Sequence, residues 1–316
     1  MGVAVVFPGQ GSQRPGMGRE LYERSPAARR VFEIASEQAG RSFTQLCFES
    51  DEETLKRTEN AQPALLTVGY AAWEALREAL PDFAPDYLAG HSMGEYTALA
   101  AGGVWSFEET FYWVEERAKA MRKVADRVVG SMVAIIGLET AKVEEACQRA
   151  QQETGEVVTP ANYNAPAQVV ISGTPAALER AVEHAKALGA RRAIPLAVAG
   201  AFHSPLMNEA AEVIANAYRT ATFRKPTIPI VSNVTARPMT DPEEIREIMS
   251  RQIASPVRWQ ESVEWMYANG VDTFIEAGVG EVLIGLIKRI VPDARCLRVV
   301  DSKTLDETVS ALRGAT

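Results

Sequence analysis

The sequence predicts an α/β protein with a parallel sheet and one inserted unit, and three observations lead to this prediction. Short apolar runs alternate with helical patterns in the first and last parts of the chain, which is typical of parallel sheets covered by helices. The middle of the chain instead follows the order strand, helix, strand, strand, helix, strand. A serine flanked by glycines lies between an apolar run and a helical segment, where such proteins often carry chemistry.

The amino-terminal part supplies the first strands of the predicted sheet. Val3–Phe7 is an apolar run that predicts a buried strand, and the loop 8–13, PGQGSQ, follows it. Tyr87–Ala89 predicts a second buried strand, and residues 95–101 have the composition of a helix.

The middle segment, residues 129–198, predicts a small unit with its own core. This order of elements is the split β-α-β-β-α-β motif of ferredoxin-like domains. We predict strands at Met132–Ile136, Val157–Asn162, Gln168–Ser172 and Arg191–Val198, with helices at Ala141–Gln152 and Pro175–Leu188.

Residues 1–128 and 199–316 then form one discontinuous large α/β domain around the inserted unit. After the insertion, we predict a strand at Ile228–Ser232, a helix at Val257–Asn269, a strand at Val271–Glu276 and a glycine-bearing turn at 277–280.

Composition indicates a cytoplasmic protein and argues against two classes of partner. With 33 Lys and Arg against 41 Asp and Glu, the net charge of −8 disfavours nucleic acids and anionic membrane surfaces. Cys47, Cys147 and Cys296 are too far apart in sequence to suggest a disulfide framework or a metal cluster, so a reducing compartment is expected. The sequence contains neither a signal-peptide pattern nor an uncharged run of about 18 residues.

Ser92 lies between Gly90 and Gly94 in the stretch LAGHSMGEY, residues 88–96. A serine on a very sharp strand-to-helix turn needs neighbours without Cβ atoms, because larger side chains would collide where the backbone doubles back. The stretch therefore predicts a nucleophile elbow, the feature of an α/β-hydrolase-like core. An ordinary serine in a glycine-rich turn is the alternative that this stretch alone leaves open.

Among the three histidines, His203 is the best candidate for the base that activates Ser92. His91 adjoins Ser92, and consecutive side chains diverge on an elbow. His184 falls on the solvated face of its predicted helix. His203 lies in the loop-like segment GAFHSPLM, residues 200–207, where a histidine with a purely structural role is the alternative.

If Ser92 attacks an acyl group, the developing oxyanion also needs hydrogen-bond donors. In elbow enzymes one donor is the backbone N–H after the nucleophile, here that of Met93. The N–H of Gln10, between Gly9 and Gly11, is the candidate for the second, although a tight turn after the first strand explains these glycines too. Arg14 stands where a dinucleotide fingerprint would need a third glycine.

Arg117 falls on the apolar face of a helix that the capping box Ser106 and Glu109 predicts. A buried arginine needs an anion, because an unpaired buried charge is very costly. That anion is either an internal carboxylate, such as Glu95, or a carboxylate of the substrate, and the helix alone slightly favours the internal one. The rest of this apolar face is Phe107, Thr110, Phe111, Val114, Ala118 and Met121.

A set of motifs extends along the whole chain: VFPGQGSQ (6–13), AQPAL (61–65), GHSMGEY (90–96), Arg117, NYNAPAQVVISG (162–173), GAFHSPLM (200–207), SPVRW (255–259) and EAGVG (276–280). These motifs resemble those of malonyl-CoA:acyl carrier protein transacylases. Val279 stands where this family usually has proline.

The resemblance implies that Ser92 carries the acyl group, that His203 is its base and that the Gln10 and Met93 amides form the oxyanion hole. It also implies that Arg117 binds the malonyl carboxylate, which shifts the interpretation away from the internal salt bridge.

Three further roles follow from the resemblance. The backbone carbonyl of Gln252 is expected to orient His203, and Phe202 is expected to close the space beside the malonyl Cα. Gln62 resembles an active-site glutamine, although a residue that caps a helix opened by Pro63 is an equal alternative.

The resemblance implies a ping-pong reaction in which malonyl-CoA acylates Ser92 and the phosphopantetheine thiol of acyl carrier protein takes the malonyl group. No metal and no redox cofactor are expected. Acyl carrier proteins are acidic, so we expect docking at Lys288 and Arg289, with Arg191 and Arg192 as the second choice and ordinary solvated charges as the alternative.

Two other functions remain open. A serine hydrolase would share the elbow, but such enzymes place an acid and then a late histidine after the serine, whereas His203 lies well before the carboxyl terminus. A noncatalytic scaffold that binds acyl carriers would not need Ser92, His203 and Arg117 together.

Overall fold

A computed structural model describes residues 2–314, and they form a mixed α/β fold with two separate sheets. The strands are β1 (Gly2–Phe7), β2 (Tyr87–Gly90), β3 (Ser131–Ile136), β4 (Val158–Ala165), β5 (Gln168–Gly173), β6 (Arg192–Pro195), β7 (Ile230–Val231), β8 (Pro238–Met239), β9 (Val271–Ala277) and β10 (Arg295–Val299).

The helices surround these sheets, with two short 3-10 turns at Pro205–Met207 and Gln252–Ala254. The helices are α1 (Arg19–Arg24), α2 (Pro26–Ala39), α3 (Phe43–Glu49), α4 (Glu52–Lys56), α5 (Thr58–Ala79), α6 (Gly94–Ala101), α7 (Phe107–Ala125), α8 (Thr140–Thr154), α9 (Pro175–Ala187), α10 (Asn208–Tyr218), α11 (Pro242–Arg251), α12 (Trp259–Ala268), α13 (Val282–Ile290) and α14 (Ser302–Arg313). No helix within residues 2–314 is long and apolar enough to cross a membrane.

The larger sheet has the strand order β10-β9-β1-β2-β7-β8. The first five strands are parallel, as the sequence predicts, and β8 pairs antiparallel with β7 at one edge. In β1, residues 4–7 are fully buried, because helices cover both faces of a parallel sheet. The carboxyl ends of β1 and β2 lie side by side, so the loops after Phe7 and Gly90 meet at one edge of the sheet.

The smaller sheet is antiparallel, with the strand order β4-β5-β3-β6, and α8 and α9 pack against it. All six elements predicted in this segment are present. The last strand was predicted to reach Val198 but ends at Pro195, because proline has no N–H for the ladder and the Val198 N–H bonds back to the Leu196 carbonyl.

A parallel bridge between Asn162 in β4 and Val257 connects the small sheet with the rest of the chain. The Val257 N–H donates to the Ala161 carbonyl, and the Tyr163 N–H donates to the Val257 carbonyl. Residue 257 is therefore extended, so the prediction that a helix begins there was wrong. That helix, α12, begins at Trp259.

Two other predicted boundaries need correction. β7 covers only Ile230–Val231 instead of Ile228–Ser232, because residue 229 is proline and the Ser232 hydroxyl accepts the Val234 N–H in a turn. Pro63 does not open a helix: α5 begins at Thr58, and Pro63 lies inside it. The interpretation of Gln62 as a capping residue was therefore wrong.

Candidate active site

Ser92 occupies a sharp turn between β2 and α6, with a φ of 53° in the left-handed region. A Cβ on Gly90 would lie 2.0 Å from the Gly94 carbonyl carbon, because the chain doubles back there. A Cβ on Gly94 would lie 2.1 Å from the Phe7 oxygen of the neighbouring strand β1. The prediction that side chains larger than glycine would collide at these two positions is confirmed. At Gly94, however, the collision would be with β1 and not within the turn itself.

The Ser92 hydroxyl pairs with His203, 111 positions away in sequence, with Oγ and Nε2 2.6 Å apart. His203 Nδ1 lies 3.1 Å from the carbonyl oxygen of Gln252 and 3.0 Å from that of Ser255. Carbonyl oxygens only accept hydrogen bonds, so Nδ1 carries the proton and Nε2 presents its lone pair to Ser92. The Gln252 carbonyl contacts His203 as the family resemblance implies, and the contribution of Ser255 was not predicted.

The environment of His203 strongly favours the neutral imidazole. Burial, together with the Arg117 guanidinium and His91, lowers the pKa of His203 to about 3, although the hydrogen bonds to the Gln252 and Ser255 carbonyls raise it. His203 is 3% exposed. At neutral pH, His203 is therefore a proton acceptor in the resting site.

Arg117 is 1% exposed on the buried face of α7, where the sequence places it. The predicted capping box is present, and every other member of the predicted apolar face is buried. Arg117 Nη1 donates to Gln62 Oε1 at 2.7 Å, while Nη2 lies 3.1 Å from Ser92 Oγ and 3.3 Å from Gln252 Oε1. Two buried glutamines thus hold the guanidinium against the serine hydroxyl.

Arg117 forms no ion pair with a carboxylate among residues 2–314. Its Nε is buried without a hydrogen-bond partner within that range. The carboxylate of Glu95, considered from the sequence as a partner, instead accepts the Asn233 N–H at 3.0 Å and Gln252 Nε2 at 2.8 Å. The internal salt bridge is therefore not formed, although Glu95 contributes a favourable charge interaction.

Burial raises the pKa of Glu95 to about 7, against the hydrogen bonds from Gln252 and Asn233 and the charge of Arg117, which lower it. Burial lowers the pKa of Arg117. The site therefore contains a costly buried cation whose neighbours are mainly neutral side chains.

The two amides predicted as oxyanion donors belong to adjacent loops after β1 and β2. Within residues 2–314, neither the Gln10 N–H nor the Met93 N–H donates a hydrogen bond to a protein acceptor. The Gln10 side chain is engaged elsewhere, with Nε2 3.3 Å from Thr58 Oγ1. Both amides remain available to another acceptor.

A pocket of about 190 Å³ opens over Ser92 and His203 and is lined by both sheet units. Phe202 forms part of its wall and is 5% exposed. The remaining lining residues are Gly9, Gln10, Ser12, His91, Met121, Met132, Asn162, Asn164, Gln168, Val170, Leu196, Val198, Val282, Leu283 and Leu286.

The other two histidines do not contact Ser92. His91 Nε2 lies 2.7 Å from Asn164 Oδ1, so its side chain diverges from that of Ser92 as expected. His184 Nε2 lies 2.9 Å from Glu153 Oε1 at the surface of the small unit.

Asn233 is a site residue that the sequence reasoning missed. Its side chain accepts the Ser92 N–H at 2.7 Å and donates to the Gly90 carbonyl at 2.6 Å. The available signal was its position just after the predicted strand that ends at Ser232, because polar residues at the carboxyl ends of neighbouring parallel strands converge.

Comparison with known proteins identifies the family of this chain. Residues 4–300 match the family model of the acyl transferase domain. A malonyl CoA-acyl carrier protein transacylase of Bacillus subtilis is 43% identical over 311 residues, which cover 98% of this chain and 97% of the relative. The chain belongs to the malonyl CoA-acyl carrier protein transacylase family. It is an acyltransferase.

Solved structures of this transacylase family have the same fold as the chain. An acyl carrier protein S-malonyltransferase from Vibrio cholerae has a TM-score of 0.93 at 42% identity, covering 98% of this chain and all of the other. A malonyl-transacylase in complex with its holo type II polyketide synthase acyl-carrier protein has a TM-score of 0.95 at 39% identity, with 98% and 100% covered. Val279, where the resemblance implies proline, is buried and does not line the pocket.

Proposed function

We propose that this enzyme transfers malonyl from malonyl-CoA to the phosphopantetheine thiol of acyl carrier protein through an ester on Ser92. The observation that carries the proposal is the buried Arg117, whose Nη2 lies 3.1 Å from Ser92 Oγ. In malonyl-CoA a single methylene separates the carboxylate from the thioester carbonyl. A carboxylate bound to Arg117 therefore brings that carbonyl beside the serine oxygen.

In the first half-reaction, Ser92 Oγ attacks the thioester carbon while His203 Nε2 takes the hydroxyl proton. The carbonyl electron pair moves onto oxygen, where the Gln10 and Met93 amides stabilise it. Collapse of this intermediate breaks the carbon–sulfur bond, and His203 returns its proton to the departing CoA sulfur. Malonyl remains as an ester on Ser92.

The second half-reaction uses the same groups in reverse. The carrier thiol gives its proton to His203 and attacks the ester carbon, and Ser92 leaves with the proton from His203. The carbonyls of Gln252 and Ser255 stabilise the protonated imidazole at each step, because both accept from Nδ1. The proposed steps need no metal and no redox cofactor, because the residues named above transfer each proton and no atom changes its oxidation state.

Substrate binding also prepares the base. The charge of Arg117 lowers the pKa of His203, and a malonyl carboxylate would offset that charge. The pKa of His203 then rises toward the range in which an imidazole is an efficient general base. We propose that Phe202 limits the space beside the malonyl Cα and that Gln62 holds Arg117 in place.

We also propose a finer description of the fold and a cellular location for the enzyme. The strand order of the antiparallel sheet supports a ferredoxin-like unit at 129–198, inserted into an α/β-hydrolase-like domain at 1–128 and 199–316. Positions 1, 315 and 316 lie outside the described residues. Catalysis in the cytoplasm stays a prediction.

Carrier docking is proposed at Lys288 and Arg289 on α13, because Val282, Leu283 and Leu286 of the same helix line the pocket. Lys288 is exposed, and Arg289 Nη2 donates to the Pro166 carbonyl at 3.2 Å in the turn between β4 and β5. The second pair, Arg191 and Arg192, is exposed beside that turn. The Arg191 N–H donates to the Ile136 carbonyl at the end of β3, and the next residue, Gly137, donates its N–H to the Ala167 carbonyl in the turn. Both candidate pairs therefore surround one turn at the rim of the pocket.

Charge reversal at Lys288 tests this docking surface. Lys288→Glu should raise the KM for holo acyl carrier protein several-fold and leave acylation of Ser92 by malonyl-CoA unchanged, because rim charges govern association. Steady-state kinetics at low salt measures the first effect, and CoA release without carrier measures the second. Lys225→Glu, which reverses an exposed lysine outside the pocket lining, is the control. An equal KM for the two variants would exclude this surface.

Arg117→Ala tests the proposed function itself. We expect malonyl transfer to lose about 2–5 kcal/mol of transition-state stabilisation, the usual cost of removing one member of a buried charge pair. Acetyl transfer should change much less, because acetyl-CoA has no carboxylate for the guanidinium to bind. Lysine at position 117 should recover activity only in part, since it cannot grip a carboxylate at two points.

The measurement is kcat/KM with malonyl-CoA and acetyl-CoA for each variant, beside the melting temperature. Equal fractional losses for the two substrates would contradict a carboxylate-binding role for Arg117.

A further inference from the structure

Asn233 brackets the turn that carries Ser92. It follows β7, is 1% exposed and reaches the turn from 141 positions away in sequence. Its Oδ1 accepts the Ser92 N–H at 2.7 Å, and its Nδ2 donates to the Gly90 carbonyl at 2.6 Å. One side-chain amide thus bonds to the backbone on both sides of His91, and we call these two hydrogen bonds the bracket.

The bracketed turn needs such support, because Ser92 has a positive φ that a side chain with a Cβ rarely adopts. Loss of the bracket would let the backbone relax, and the Ser92 Oγ would move relative to His203. The bracket also uses the Ser92 N–H, whereas the following N–H, that of Met93, stays free of protein acceptors within residues 2–314.

Glu95 fixes Asn233 in turn. One carboxylate oxygen accepts the Asn233 backbone N–H at 3.0 Å, and the other accepts Gln252 Nε2 at 2.8 Å. Gln252 Nε2 also donates to the Ser92 carbonyl at 2.9 Å. The backbone of Ser92 is therefore held on its N–H side by Asn233 and on its carbonyl side by Gln252.

We propose that Asn233 is a positioning residue, which holds the backbone of Ser92 in its left-handed conformation and so aims Oγ at His203. The inference rests on the proposed role of Ser92 as the nucleophile. Asparagine suits the position because the bracket needs one acceptor and one donor on a short side chain. Aspartate has the same shape but would set an oxygen against the Gly90 carbonyl, and alanine would leave two buried backbone groups unpaired.

The experiment uses the full-length enzyme and a fluorophosphonate, an electrophile that modifies reactive serines and has no malonyl carboxylate. Asn233→Ala and Asn233→Asp should each lower the rate constant for Ser92 labelling roughly 10²-fold, the effect expected when a reacting atom is displaced by about 1 Å. The kcat for malonyl and for acetyl transfer should fall in parallel, with KM for malonyl-CoA little changed.

Asn60→Ala is the matched control. Asn60 is also a buried asparagine whose side chain makes two hydrogen bonds, to Arg41 and to the Thr54 carbonyl, and neither partner touches Ser92. Its substitution can lower the melting temperature but should leave the labelling rate of folded protein unchanged.

Circular dichroism below the melting temperature identifies the folded protein to which rates are normalised. Folded Asn233→Ala that is labelled at the wild-type rate would overturn the proposal, and the isosteric Asn233→Asp decides if the alanine variant does not fold. Wild-type enzyme that is not labelled at Ser92 would instead contradict the proposed function.

Discussion

Ser92→Ala should lower malonyl transfer to acyl carrier protein by roughly 10⁶-fold, the loss expected when an enzyme loses a nucleophile that acts as a unit with its base. The reason is geometric: Ser92 Oγ is the hydroxyl that contacts both His203 Nε2, at 2.6 Å, and Arg117 Nη2, at 3.1 Å. Alanine keeps the backbone of the turn and removes only this oxygen. Steady-state transfer to holo carrier protein measures the loss.

Ser172→Ala is the control for that variant. Ser172 is fully buried in β5 and its hydroxyl has no partner within residues 2–314, so its removal should leave transfer intact. Transfer by Ser92→Ala at more than a small fraction of the wild-type rate would show that another group carries the acyl chain.

His203→Ala should reduce acylation of Ser92 by roughly 10²–10⁴-fold, the range for loss of a positioned general base. The substitution removes the proton acceptor but keeps Arg117 and the two free amides, so binding of malonyl-CoA should be largely retained. Rapid-quench measurement of CoA release without carrier protein isolates this step from the discharge of the ester.

His184→Ala provides the comparison, because His184 pairs with Glu153 on the small unit and does not line the pocket. It should keep nearly full activity. Similar losses in the two histidine variants would mean that His203 affects the enzyme through its fold and not as a base.

The sequence predicted those parts of the fold whose pattern is local. Val3–Phe7 and Tyr87–Ala89 were recognised because a buried parallel strand is a continuous apolar run, and both strands extend by only one residue in the structure. The edge strand β10 was missed because arginines interrupt its apolar pattern. Val257 was assigned to a helix because its extended conformation depends on pairing with β4, which local sequence does not reveal.

The candidate site also contains residues with a local sequence signal and residues that depend on distant parts of the chain. Ser92 and Arg117 were predicted from residues close to them in sequence. Ser92 is flanked by the glycines that its sharp turn requires, and Arg117 is a charged residue on an apolar helix face. Ser255 and Asn233 were missed for different reasons. Ser255 acts through a main-chain carbonyl, which any residue could supply, and Asn233 bonds to a turn far away in sequence.

Intact-protein mass spectrometry of the wild-type enzyme tests whether Ser92 carries malonyl as an ester. With malonyl-CoA and no carrier, we expect one malonyl group per enzyme, located on Ser92 by peptide mapping, and an equal amount of released CoA. Addition of holo acyl carrier protein should then remove that group from the enzyme and place it on the carrier. CoA release that occurs only when carrier is present, or a malonyl group on a residue other than Ser92, would contradict a malonyl ester on Ser92.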